Sequence, residues 1–298
     1  MTTLHTKDSN KYTVTGMCDV LDISRHAYTN FVDHAQNEQS GFIDKDAQLI
    51  DKIKGIVTTT RKYGYRRVTR ELRRQGVHTN HKKVLRLMQT HNLTCKRKKM
   101  FKTTTDSNHN HQVYPNLLKD FVPTGINQVW GSDITYIRLS NNKFVYLAVV
   151  IDLYSRKVVG WAMSKYIDEN LTLAALDMAL STRTPALGLI HHSDRGVQYA
   201  SLKYTTKLRD NNIQISMSAK GNPYDNAFVE SFMNTLKNEE VHMNEYDSLE
   251  DAQQNINLFL EEVYNKKRLH SSLDYVSPDE FEFALSSVST VSSLSVPR

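Results

Sequence analysis

Apolar positions change period along the chain, and the changes divide it. Residues 16–37 fit a helix, a break at Asp22-Ile23-Ser24, and a second helix capped by Ser24. This segment reads equally as part of a helix-turn-helix or as a short helical pair. Residues 44–59 set Ile50, Ile53, Ile56 and Val57 on one helical face. Tyr63-Gly-Tyr-Arg-Arg67 turns into a helix from Val68 to Arg74 that Gly76 ends. Thr79 or Asn80 then caps a third helix, His81 to Gln89, with Val84, Leu85 and Met88 inward. Three short helices with Lys82, Lys83 and Arg86 on the last predict a helix-turn-helix-like reader of DNA; a helical spacer that touches phosphate without reading bases fits the same pattern.

From Asn127 the pattern becomes that of strands. Val129–Leu139, Phe144–Asp152 and Arg156–Met163 are predicted strands joined by tight turns, hence antiparallel. A helix follows over Glu169–Arg183 with Leu173, Leu176 and Leu180 inward, then a strand at Leu187–His192, a helix at Ser201–Asn211 and a strand at Ile213–Met217. Gly221-Asn-Pro-Tyr-Asp225 breaks the chain, and Asp225 or Asn226 caps a helix whose Phe228, Phe232 and Leu236 recur every four residues as an apolar stripe. A long amphipathic helix runs from about Leu249 to Asn265. Three antiparallel strands followed by helix, strand, helix, strand, helix is the order of an α/β, ribonuclease-H-like fold, although other α/β folds share it.

Carboxylates stand at exposed points of this scheme. Asp133 lies inside the first strand, where a charge is unfavourable unless something offsets it. Asp194 ends a short apolar run before a Gly turn, the kind of strand end at which α/β sheets place their sites. Glu230 lies off the apolar stripe of its helix, with Asn226 one turn before and Lys237 two turns after on the same face. Carboxylates from separate segments repel when brought together, unless a hard cation such as Mg2+ or Mn2+ joins them. Asp152 is a further carboxylate, read as a turn-initiating Asp before Tyr154-Ser155. His191 and His192 are read as fixing local hydrogen bonds, and Asn108-His-Asn-His111 as linker rather than a metal site.

The spacing of Asp133, Asp194 and Glu230, with thirty-five residues separating the last two, resembles the Asp-Asp-Glu signature of retroviral integrases and related transposases. Trp130-Gly-Ser-Asp133-Ile-Thr-Tyr136, His192-Ser-Asp194-Arg-Gly-Val-Gln-Tyr199, Asn222-Pro-Tyr-Asp-Asn-Ala227 and Tyr264-Asn-Lys-Lys-Arg-Leu-His270 are similar to the downstream-reading-frame (OrfB-type) proteins of insertion-sequence family three transposases. The resemblance spans roughly residues 45–285. It implies an integrase catalytic core preceded by a small helical domain, and an Asp133-Asp194-Glu230 site holding two Mg2+ ions, with Mn2+ as substitute. It implies metal-dependent cleavage and strand transfer of DNA at the element's terminal repeats and into target DNA. Lys237 and Asn226 would contact DNA near the chemistry; Lys82, Lys83, Arg86, Arg66 and Arg67 would contact it from the helical domain. It also implies an upstream-frame OrfA-type partner, joined as a frameshift fusion, and a homo-oligomer on DNA. A DNA-binding regulator without productive catalysis, competing with the full fusion, is the rival; a structure-directed nuclease on the same fold is a third.

Charge sharpens the division. Between Arg61 and Lys102 stand 15 Lys or Arg and one acid, while the rest carries 23 basic and 31 acidic residues within a net charge of +6. A basic module beside an acidic remainder suits DNA binding joined to a carboxylate site. Tyr63, Tyr65, Val68, Leu72, Val84 and Leu87 interleave the basic run, unlike a disordered tract. Cys95-Lys-Arg-Lys-Lys-Met-Phe-Lys102 reads as a strap on DNA backbone. The expected organisation is a helical segment at 1–43, the basic domain at 44–100, a linker at 101–124, the core at 125–285 and a disordered tail at 286–298. Apolar residues make up 39% of the chain, as in ordinary globular proteins. The longest apolar run is far shorter than the roughly 20 residues of a membrane helix. With two cysteines far apart and no signal-like start, the expected compartment is the bacterial cytoplasm, associated with the nucleoid.

Overall fold

The computed structural model describes residues 13–37, 42–60, 62–95, 112–119, 121–185, 187–219 and 226–293. The expected basic strap beyond Cys95, the Asn108–His111 run, the Gly221–Asp225 break and the last residues of the tail lie outside them. The chain divides into two compact units, residues 1–95 and 96–298.

The first unit is helical. α1 (Val14–Val20) starts at Thr13, whose side chain accepts from Gly16 N, and α2 (Arg25–Asn37) follows Ser24, whose Oγ accepts from Ala27 N at 3.1 Å. α3 (Phe42–Thr60), α4 (Tyr65–Arg74) and α5 (His81–Thr90) pack on one another. Asn80 caps α5 by accepting from Lys82 N at 2.9 Å. The buried faces are shifted from those the sequence suggests. Leu49 joins Ile53 and Ile56 in place of Ile50 and Val57, and Leu87 takes the place of Leu85 beside Val84 and Met88. Alternating apolar neighbours fit two rotations of a helix, and the partner helices choose between them.

The second unit is built on a five-stranded sheet in the order β3-β2-β1-β4-β5. β1 (Val129–Arg138), β2 (Phe144–Asp152) and β3 (Val158–Ser164) are antiparallel; β4 (Ile190–Ser193) and β5 (Gln214–Met217) run parallel to β1. β1 therefore joins an antiparallel half to a parallel half. α6 (Glu169–Thr182), the single turn α7 (Val197–Ala200) and α8 (Leu202–Asp210) contribute to one apolar layer with Trp130, Ala148 and Val150. α9 (Ala227–Leu236) and α10 (Leu249–Leu258) form the other with Val129, Leu147 and Val149. The alternation of β2 between two cores explains its unbroken apolar run. α6 buries Leu171, Ala175, Leu176 and Ala179, while Leu173 and Leu180 are only partly covered.

α9 and α10 each pass into a π-helical segment, Lys237–Val241 and Phe259–Asn265. α11 (Pro278–Ser293) continues through residues where a disordered tail is expected. Asp152 is fully buried and accepts backbone N–H bonds from Asn127, Tyr154 and Ser155 at 2.6, 2.9 and 3.1 Å. It is the turn-forming residue its sequence context suggests.

Gly131 allows α9 to approach β1. A Cβ there would sit 2.5 Å from Val229 and 2.8 Å from Leu153, both buried. Gly131→Ala is expected to destabilise the protein by about 1–3 kcal/mol through overpacking. Urea denaturation measures this, and a Gly131→Ala/Val229→Ala double variant should recover part of the loss; no recovery would remove the contact as its cause.

Candidate active site

Parallel pairing of β1 with β4 ends at Gly131 opposite His192. Asp133 and Asp194 each lie two residues further on, so the register carries them side by side, on strands separated by roughly 4.8 Å. β4 ends at Ser193, and Asp194 opens the turn that follows, its Oδ1 accepting from Gly196 N at 2.9 Å. Asp133 remains within β1, paired on its other side with Val149 of β2. Here the sheet changes from antiparallel to parallel at the carboxyl end of its parallel strands, where an open α/β sheet leaves a crevice.

The proximity has electrostatic consequences. The Asp133 carboxyl is pushed up to about 7, first by burial and then by the Asp194 charge. An N–H bond from Ile134 at 2.7 Å and the Lys237 ammonium oppose this, and Glu230 adds a smaller upward push. Tyr199 is pushed up well beyond its ordinary value by burial, by Tyr204 and by both aspartates; its hydroxyl is buried without a hydrogen-bond partner. Beneath the site, His191 Nε2 lies 2.8 Å from Ser132 Oγ and 2.9 Å from Tyr204 Oη. Burial and neighbouring His192 push its pKa down to about 3, so it is neutral. His192 Nδ1 lies 2.8 Å from Ser216 Oγ, which ties β4 to β5. Both histidines make local hydrogen bonds, as read from the sequence.

Glu230 enters from α9 immediately after Val229, the residue seated over Gly131. It is exposed, and its influence on Asp133 is weaker than that of Asp194. Among the described residues, no three His, Cys, Asp or Glu side chains are gathered closely enough to surround one ion. Asp133 and Asp194 are thus a pair with Glu230 at its side. The buried face of α9 is Val229, Phe232, Met233 and Leu236; Phe228, expected inward, is 53% exposed with the Arg156 guanidinium 4.0 Å above its ring. Asn226 occupies the cap position without making a side-chain cap bond, and its Oδ1 is buried without a partner. Lys237 is partly buried, its Nζ 5.0 Å from the centre of the Tyr136 ring. Burial pushes its pKa down, against the upward pull of Asp133. Lys237 and Tyr136 line a groove of about 780 Å³ together with Arg138, Phe144, His242 and Tyr246.

In the helical unit, the basic candidates are partly engaged. Asp46 of α3 pairs with Lys83 and with Arg86, the latter at 3.2 Å, while Lys82 is exposed. The Lys83 hydrogen bond is the largest influence holding the Asp46 carboxyl below its ordinary range. Arg66 and Arg67 lie over the rings of Tyr65 and Tyr63 at 5.7 and 5.6 Å.

Residues 44–101 match the family model described as an HTH-like domain, and residues 123–223 and 211–278 match two described as Integrase core domain. Transposase InsF for insertion sequence IS3A of Escherichia coli (strain K12) is 37% identical, over 93% of this chain and 96% of its own. The chain belongs to the IS3-family transposases. The transposase for insertion sequence element IS904 of Lactococcus lactis subsp. lactis (strain IL1403) is 40% identical, over 78% of this chain and 93% of its own. The IS600 uncharacterized 31 kDa protein of Shigella sonnei is also 40% identical, over 89% and 97%. In this IS3-family chain, no helix among the described residues is long and apolar enough to cross a membrane.

Two features escaped the sequence reading. The Ser132-His191-Tyr204 contact is made across strand and helix, although a His pair in a buried apolar run hints at it. The packing role of Gly131 depends on a helix almost a hundred residues later.

In chelator, native Asp133 holds a proton between its ordinary value of 3.8 and about 7 that the unfolded chain has released. Its contribution therefore favours folding at low pH and is lost as pH rises through that window. Asp133→Asn is expected to melt a few degrees above the parent at pH 8 and to converge with it near pH 4; a gap independent of pH would contradict the assignment. In the helical unit, Lys82→Ala should lower the salt slope of DNA binding by about 1, and Asp46→Asn, by releasing Lys83 and Arg86, should steepen it. Unchanged slopes measured by fluorescence anisotropy would turn this face of α5 away from DNA.

Proposed function

We propose that this chain cleaves DNA at the ends of an insertion sequence and joins the freed 3′-hydroxyls to target DNA by in-line phosphoryl transfer, with Asp133, Asp194 and Glu230 as the reacting site. The observation that carries this reading is the register of β1 and β4, which sets two aspartates together at the mouth of the sheet with Glu230 arriving from α9. The Asp133 carboxyl, raised first by burial and then by the Asp194 charge, sits in a cluster of oxygen donors of the kind that hard divalent cations take. Asp133 and Asp194 would hold two Mg2+ ions together, with Glu230 completing one of them and Mn2+ as a substitute. Bound there, such ions supply charge stabilisation at the attacking and leaving oxygens.

The chain's own groups set the geometry. Asp133 is fixed by the Ile134 N–H and Asp194 by the Gly196 N–H. Lys237, a point charge at the lip of the groove, holds a phosphate next to the reacting bond. Water attacks first, and a 3′-hydroxyl attacks second; each displaces an oxygen from phosphorus, and the displaced 3′-oxygen takes up a proton. The helical unit supplies backbone contacts through Lys82, Arg66 and Arg67, and through Lys83 and Arg86 once these leave Asp46. An upstream-frame OrfA-type partner, an oligomer on DNA and a cytoplasmic, nucleoid-associated setting complete the reading; their support is family membership.

A joining assay on a labelled terminal-repeat oligonucleotide with Mg2+ or Mn2+ tests it. The parent is expected to form joined product, and Glu230→Gln to lower the rate by at least roughly 10³-fold while retaining DNA affinity. Equal rates would eliminate Glu230 from the chemistry. If neither forms product, the same comparison in a fusion with the upstream protein is decisive: product from the parent fusion supports the reading, and none supports the DNA-binding regulator.

A further inference from the structure

Tyr264, Asn265, Arg268 and His270 take no part in the site described above, yet they converge on the helix that carries Glu230. Arg268 is only 5% exposed, so its guanidinium is out of reach of nucleic acid. Its Nε donates to Glu239 Oε2 and its Nη2 to Glu239 Oε1, both at 2.8 Å, in a bidentate pair. Nη2 also donates to Thr235 Oγ1 at 3.3 Å. Thr235 lies in the last turn of α9, and Glu239 in the π-helical segment that begins at Lys237.

The other end of this loop is anchored on the sheet. Asn265 accepts from Val158 N through Oδ1 and donates to Val158 O through Nδ2, both at 3.0 Å, like an added strand residue at the start of β3. Between these anchors, the Tyr264 ring meets Phe232 of α9 edge-on, with centroids 4.9 Å apart, and His270 at 5.0 Å. The guanidinium of Arg268 lies 5.7 Å from the Tyr264 ring centre. The loop thus joins β3 to the second half of α9 by polar contacts at both ends.

We infer that Arg268 is a positioning residue: its pair with Glu239, braced on β3 through Asn265, sets the π-helical turn that aims Lys237 and fixes the rotation of α9 that presents Glu230. The geometry needs such a device. Val229 fixes the first turn of α9 over Gly131, but Glu230 is exposed, and among the described residues no hydrogen bond or ion pair orients it. A π-turn adds a residue to the helical circuit and re-aims the side chains beyond it, and such turns are often found at functional sites. The Arg268–Glu239 pair holds this turn from outside the helix. This inference rests on the proposed roles of Glu230 and Lys237.

The test uses the full chain with Arg268→Gln, Glu239→Gln, their double variant and Arg268→Lys, in hydrogen exchange and in the joining assay. Arg268→Gln alone takes the guanidinium away from the largely covered Glu239 carboxylate and lowers the melting temperature. The double variant removes both charges at nearly constant volume and is expected to melt close to the parent. In that folded protein, amides of residues 234–241 should exchange faster, those of β1 and β2 should not, and joining kcat should fall roughly 10- to 100-fold with KM for DNA little changed. Arg268→Lys should recover only part of the rate. Parental exchange in 234–241, or parental kcat in the folded double variant, would overturn the inference. Exchange is read without catalysis, so a parent that joins no DNA would count against the proposed function and leave this result standing. Should the double variant fail to fold, exchange in Arg268→Lys decides: faster amides in 234–241 support the clamp, and parental ones refute it.

Discussion

β1 and β4 pair in parallel as far as Gly131 and His192, and the next two residues on each strand bring Asp133 and Asp194 together. Two carboxylates at strand spacing repel, and part-burial deprives them of the water that would screen them. The fold holds that repulsion in place from three sides. β2 pairs with Asp133 along its backbone, the neutral Ser132-His191-Tyr204 contact supports the strands from below, and backbone N–H groups hold one oxygen of each aspartate. Burial first and the Asp194 charge second raise the Asp133 pKa, against the Ile134 N–H and the Lys237 ammonium.

The helix bearing Glu230 is held differently. Its first turn is located by shape, because Gly131 has no side chain where Val229 rests. Its last turn is located by charge and hydrogen bonding through Thr235, Glu239 and Arg268. Shape fixes how far α9 stands from the sheet and which face it buries, and directional bonds hold its last turn and the π-helical segment beyond. Glu230 and Lys237 lie between and beside these two controls.

The helical unit uses charge in another way. α5 carries Lys82, Lys83 and Arg86, but Asp46 on α3 engages two of them and makes the local potential less positive than the sequence count implies. Asp46 is the more covered partner, its side chain 18% exposed against 34% for Lys83 and 60% for Arg86.

The sequence by itself determined the order of the elements, because alternation in β1 to β3, helical period in α3 to α10 and turn residues between them are local properties of neighbouring side chains. It also singled out Asp133 and Asp194, since charge inside or at the end of an apolar run is visible without a fold, and Glu230 through its spacing from Asp194 and the motifs around it. Tertiary structure alone decided which side of each helix is buried. Phe228 gives way to Val229, Leu85 to Leu87 and Ile50 to Leu49, because a helix with apolar residues on adjoining positions can rotate by a fraction of a turn, and only the opposing surface selects the angle. Tertiary structure also decided the place of Arg268, which the sequence left open between DNA and the end of the Glu230 helix: it lies against Glu239 and Thr235. A basic residue in a polar motif looks the same in sequence whether it faces solvent or a buried carboxylate, and the difference lies in contacts made across the chain.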